Sequence, residues 1–138
     1  MSFVEGLPKA ELHVHHVGSA SMRTVAELAE RHAGSTTVPT DADALAEFFT
    51  FTDFGHFIEV YLSVVDLLRT PEDLWTLTYD VARDLTAQSV KYVELTCTPY
   101  TSIAVGIAAE AYCEALEDAR RRAEADFGIT MRWIFDIP

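Results

Sequence analysis

Ala10-Glu-Leu-His-Val-His-His-Val17 alternates apolar and polar side chains, and the turn-forming pair Gly18-Ser19 follows it directly. That alternation predicts a strand running into a tight turn. Beyond the turn, Ser21 is placed to cap a helix whose apolar positions Met22, Val25, Leu28 and Ala29 recur at helical spacing until Gly34. Residues 34–40 read as a loop, Asp41–Phe49 as a short helix, and Phe54–Leu68 as a longer one with a wide apolar stripe. Thr70-Pro71-Glu72-Asp73 joins a cap residue, a proline at the first helical position and acids that complement the helix dipole, which predicts a helix reaching Gln88. Val90-Lys-Tyr-Val-Glu-Leu-Thr-Cys-Thr-Pro99 reads as a second strand stopped by its proline. A helix over Ile107–Phe127 ends at Gly128, and Ile129–Pro138 reads as a third strand. Strand, several helices, strand, helix, strand is the order that builds a parallel sheet with helical crossovers, an α/β fold. No repeat, low-complexity tract or linker divides the chain, and it stops on a strand with no covering helix, so it reads as part of a larger domain.

Ten Lys and Arg against 22 Asp and Glu give a formal net charge of −12, with 49% hydrophobic residues. This is the composition of a globular acidic chain, and the balance argues against phosphate backbones and anionic membrane surfaces as partners. The dense cluster Arg120-Arg121-Arg122 sits among Glu114, Glu117, Asp118, Glu124 and Asp126, and reads as the solvated face of a helix. No apolar run approaches a membrane span and the N-terminus lacks the pattern of a signal peptide, so a cytoplasmic location is expected. Cys97 and Cys113 are then expected to stay reduced, as small buried thiols in a strand and a helix.

His13 and His15 flank Val14, so on a strand both imidazoles project from one face. Two imidazoles on a rigid element make half of a divalent metal site, although a His-x-His pair taken alone is a weak signal and is more often packed or solvent-facing than ligating. His16 points the other way, as a packed residue or as support for a ligand, and Glu11 is expected on the face of His13 and His15.

Leu7-Pro-Lys-Ala-Glu-Leu-His-Val-His-His-Val-Gly18 resembles the opening motif of the adenosine and AMP deaminase family, Pro-Lys-x-Glu-Leu-His-x-His-Leu-x-Gly, with seven identical positions at fixed spacing. Val90–Pro99 is similar to that family's second strand, and the segment containing Phe48-Phe-Thr-Phe-Thr-Asp-Phe54 to its helical lid. The resemblance implies that residues 1–138 are the N-terminal part of a single deaminase barrel domain: strands 1 to 3 of a (β/α)8 TIM barrel with a helical lid insertion after strand 1. It implies one Zn2+ held by His13 and His15 together with a His and an Asp from later strands. The general acid/base Glu is also expected C-terminal to this chain, leaving no catalytic residue within it. The implied reaction is metal-assisted hydrolysis that removes the 6-amino group of a purine nucleoside.

The resemblance also bears on the substrate. Adenosine deaminases often carry Asp before the motif's Gly to bind the ribose 5′-hydroxyl, and Val17 stands there; Thr96 stands where they often carry Arg. With the run His13–Ala20 and Phe57–Leu67, the sequence most resembles the actinobacterial branch that includes aminodeoxyfutalosine deaminases of menaquinone biosynthesis. This implies 6-amino-6-deoxyfutalosine as substrate, with adenosine deamination or a non-catalytic deaminase-like fragment as alternatives. His15, Phe51, Phe54 and Asp136 are the candidate substrate-binding residues. Phe51 and Phe54 belong either over the base and its aromatic extension or in the core of the insertion, and Asp136 is either a substrate contact or a capping aspartate. The missing C-terminal barrel half, or another chain, is expected to cover the open sheet edges.

Overall fold

The computed structural model describes residues 2–137. A short helix α1 (Phe3–Gly6) is closed by a reciprocal capping box between Ser2 and Glu5, and leads into β1 (Lys9–His15). A 3-10 turn at Val17–Ser19 follows, then α2 (Met22–Arg31), α3 (Ala42–Phe48), α4 (Phe54–Val65) and α5 (Pro71–Ala87). β2 (Val90–Cys97), α6 (Pro99–Ala104), α7 (Ala109–Phe127) and β3 (Thr130–Phe135) complete the order. The caps expected at Ser21 and Thr70 are in place, Ser21 accepting from a backbone N–H of α2 and Thr70 exchanging bonds with Asp73, and the structure adds Asp41 and Asp53, which accept from backbone N–H groups of α3 and α4. Gly128 closes α7 in the left-handed region, at φ +66.

The three strands form one parallel sheet in the order β1-β2-β3, so each connection is a helical crossover. Helices cover one face only. Val93, Leu95, Cys97 and Met131 pack there against Leu74, Leu77, Val81, Leu116 and Ala123, all buried, with α5 and α7 lying side by side. The other face, carrying Tyr92, Glu94 and Thr96 from β2 and Thr130, Arg132 and Ile134 from β3, has no helix over it among the described residues. No described helix is long and apolar enough to cross a membrane.

Several expectations change at their boundaries for physical reasons. The apolar pattern expected to carry α4 to Leu68 outlasts the helix, because Leu67 and Leu68 are buried in tight turns bonded to Val64 and Val65. Pro99 does stop β2, yet it also opens α6, where a proline at the first helical position gives up no hydrogen bond. Cys97 is buried as expected, whereas Cys113 is exposed on α7. The arginine cluster behaves as a solvated face: Arg120 pairs with Glu117 at 2.6 Å and Glu124 at 3.2 Å, and Arg122 with Asp126 at 2.6 Å.

The largest departure lies inside β1. Glu11 pairs with Val93 and Val14 with Leu95, so three steps on β1 span two on β2 and one extra residue is accommodated between them. The expected sharing of one face by Glu11, His13 and His15 therefore fails. The bulge puts Glu11 in register with helix-facing Val93, while His15 is level with Thr96 on the opposite face.

Candidate active site

β1 delivers His13 and His15 to the C-terminal end of the sheet, with ring centres 5.1 Å apart and planes tilted by 42°. Two imidazoles sharing one tetrahedral ion at ~2.1 Å have ring centres about 5 Å apart, so the pair fits a divalent metal. Among the described residues no third His, Cys, Asp or Glu joins them in a ligating group. The backbone beneath the pair is tied down. Ser19 donates its hydroxyl to the His15 carbonyl at 2.8 Å, and the His16 N–H donates to the Thr96 carbonyl at 3.0 Å.

Both histidines border a cavity of about 740 Å³ roofed by the helical insertion, with Val17, Phe51, Phe57 and Tyr61 among its walls. Its aromatic wall is a ladder: Phe57 meets Phe51 edge-on at 5.2 Å and stacks on Phe54 at 5.9 Å and on Tyr61 at 6.3 Å. Phe51 thus lies on the cavity wall, while Phe54 sits one ring further out, 76% exposed and behind Phe57. Asp136 lies beyond the end of β3, its N–H donating to the Cys97 carbonyl, in a separate depression beside Tyr100 and Phe135. Its charge still reaches the cavity: burial first, then Asp136, raises the Tyr61 phenol above its ordinary value. Tyr61 and Phe57 were not singled out from the sequence. The available signal was their i, i+4 spacing with Phe54 at i−3, which aligns all three along α4.

His16 and Cys97 stand behind the site. Burial pulls His16 down to about 4, so it is neutral, and burial pushes the Cys97 thiol up to about 12, which removes it as a nucleophile.

The adenosine deaminase profile matches residues 8–137, nearly the whole chain. The chain belongs to the adenosine deaminase family. A relative from Streptomyces avermitilis named aminodeoxyfutalosine deaminase is 66% identical over 99% of this chain, which corresponds to 38% of the relative. Among solved structures, an adenine deaminase from Arthrobacter aurescens superposes with a TM-score of 0.80 at 29% identity, covering 93% of this chain and 39% of that one. An amidohydrolase from Burkhoderia ambifaria with bound Zn gives 0.78 at 28% identity, covering 98% and 37%. This member of the deaminase family therefore spans under two fifths of the length of these relatives, and its sheet is the N-terminal part of their barrel, as the opening motif led us to expect.

Proposed function

We propose that the chain is the N-terminal part, strands 1 to 3 and the lid, of a single-domain zinc-dependent aminohydrolase that removes the 6-amino group of 6-amino-6-deoxyfutalosine. The observation that carries the reading is the His13–His15 pair, spaced for one ion and facing an aromatic-walled cavity of about 740 Å³. The 66% identity to a relative named for that substrate supports the choice of nucleoside.

Zinc, when bound, lowers the pKa of a water into the neutral range and so supplies the nucleophile for hydrolysis. His13 and His15 would hold it, and β1, anchored to β2 at both sides of the bulge, fixes their approach. Phe51 and Phe57 offer ring faces for a purine or an aryl group and keep bulk water from the reacting carbon. Tyr61 lies on the same wall, its phenol raised above its ordinary value by burial and by Asp136 and so protonated near neutral pH. Val17 lines the cavity with an apolar side chain that accepts no bond from a 5′-hydroxyl, which favours a nucleoside substituted at that carbon. The general acid/base and remaining ligands belong to the rest of the barrel.

Ammonia release by the full-length enzyme with 6-amino-6-deoxyfutalosine, adenosine and adenine tests the reading. A kcat/KM at least on the order of a hundredfold higher for the 5′-extended nucleoside is expected. Faster turnover of adenosine or adenine overturns the substrate, and no turnover of any of the three overturns the activity.

A further inference from the structure

The family's opening motif has Leu where this chain has His16, and His16 is 3% exposed and is not among the residues lining the cavity of His13 and His15. A buried imidazole needs partners for its polar atoms, so its presence at an otherwise apolar position calls for a use. His16 Nε2 lies 2.9 Å from Thr78 Oγ1 on α5, and that same hydroxyl lies 2.7 Å from the Leu74 carbonyl. A hydroxyl carries a single hydrogen and a carbonyl can only accept, so Thr78 donates to Leu74 and accepts from His16. The imidazole is therefore the Nε2–H tautomer, donating across 62 residues of sequence from the end of β1 to the middle of α5. The residue is held from two further sides. Its own N–H donates to the Thr96 carbonyl on β2 at 3.0 Å, and its ring meets Trp133 of β3 edge-on at 6.3 Å. One residue thus links β1 to β2, to β3 and to the principal covering helix, at the point where β1 ends and immediately after His15.

The bulge between Glu11 and Val14 interrupts the ladder, which resumes only at Val14–Leu95 and His15–Thr96, so the last pairs of β1 and the residue that follows them, His16, hold the direction of His15. A leucine fills the volume but supplies no directional bond. Resting on the metal reading above, we propose that His16, through its Nε2–H bond to Thr78, is a positioning residue that sets the orientation of His15 and thereby the tightness of divalent metal binding.

The test is zinc affinity of the full-length protein by chelator competition, alongside thermal melting of the metal-free form and the split between kcat and KM. His16→Leu removes the donor, Thr78→Val removes the acceptor with almost no change of shape, and His16→Gln returns an N–H to the position of Nε2. The expected result is zinc binding weakened about tenfold in both H16L and T78V, with a fall in kcat rather than a rise in KM, and affinity in H16Q within about threefold of wild type. T78V and H16Q keep the test decisive should H16L fail to fold. Zinc affinity unchanged in folded T78V, or a loss in H16Q as large as in H16L, overturns the inference while leaving the metal reading in place. Wild-type protein that binds no zinc overturns both.

Discussion

Asp73 illustrates how one side chain couples local structure to pH. It was legible as an acid in the first turn of a capped helix, and it does serve that cap, but the structure gives it a larger task. Only 1% exposed, it accepts from the backbone N–H groups of Arg69 and Thr70 at 3.1 and 3.0 Å, from His32 Nε2 at 2.9 Å and from Arg31 at 3.3 Å. Burial by itself raises its carboxyl, yet the bonds from His32, Thr70 and Arg69 outweigh it, and the group ends below its ordinary value of 3.8. A carboxyl lowered in the folded state stabilises the fold fully above its unfolded value and loses that contribution as pH falls through the folded one. Asp73→Asn is therefore expected to cost about 2 kcal/mol near neutrality, and the gap to wild type should shrink as pH drops below 3.8. Urea denaturation from pH 6 to 3 measures it, and a gap that stays constant or widens on acidification refutes the assignment. The His13–His15 pair was visible in the sequence because a period of two needs no tertiary information. Tyr61 was not, because its place in the cavity depends on how α4 folds back over β1, which local pattern does not encode.

Elements were read well where their ends carry chemistry. Thr70-Pro71 and Gly128 mark their helices because a cap hydroxyl, a missing N–H and a left-handed backbone are each properties of one residue. The misses have the opposite character. The four-residue α1 and six-residue α6 are too short to show periodicity, and the bulge after Glu11 leaves no mark because an extra residue looks the same as a regular one until the partner strand is known. Gly128 offers the cleanest test at this scale. Its φ of +66 is costly for any residue with a Cβ, and nothing lies within 4 Å of the position such a Cβ would take, so backbone strain alone decides the outcome. Gly128→Ala should destabilise the protein by about 1 kcal/mol without changing activity at saturating substrate. A neutral effect would mean that α7 ends differently, and because α7 feeds β3 directly, that the register of Arg132 with Glu94 also needs revision.

At the scale of the molecule, what matters is the uncovered sheet. β1 and β3 each pair only with β2 among the described residues, and Leu12, Ile134 and Phe135 stand 61%, 41% and 52% exposed along these edges and their ends. An unpaired parallel edge with apolar neighbours templates further strands, and closure into a barrel removes the edge altogether. On the metal reading proposed above, the same geometry limits binding, since two imidazoles fill only about half of a tetrahedral shell. Both arguments lead to one comparison between these 138 residues produced alone and the full-length protein. The short chain is expected to self-associate in size-exclusion chromatography with light scattering, and to give up its zinc on dialysis against a weak chelator. The full-length protein is expected to show no concentration-dependent association through these edges and to retain about one zinc per chain. Intact mass fixes which species is in hand. A short chain that stays monomeric, keeps one zinc and releases ammonia from the nucleoside would show that His13 and His15 find their partners within residues 1–138, and the dependence on further strands would have to be abandoned.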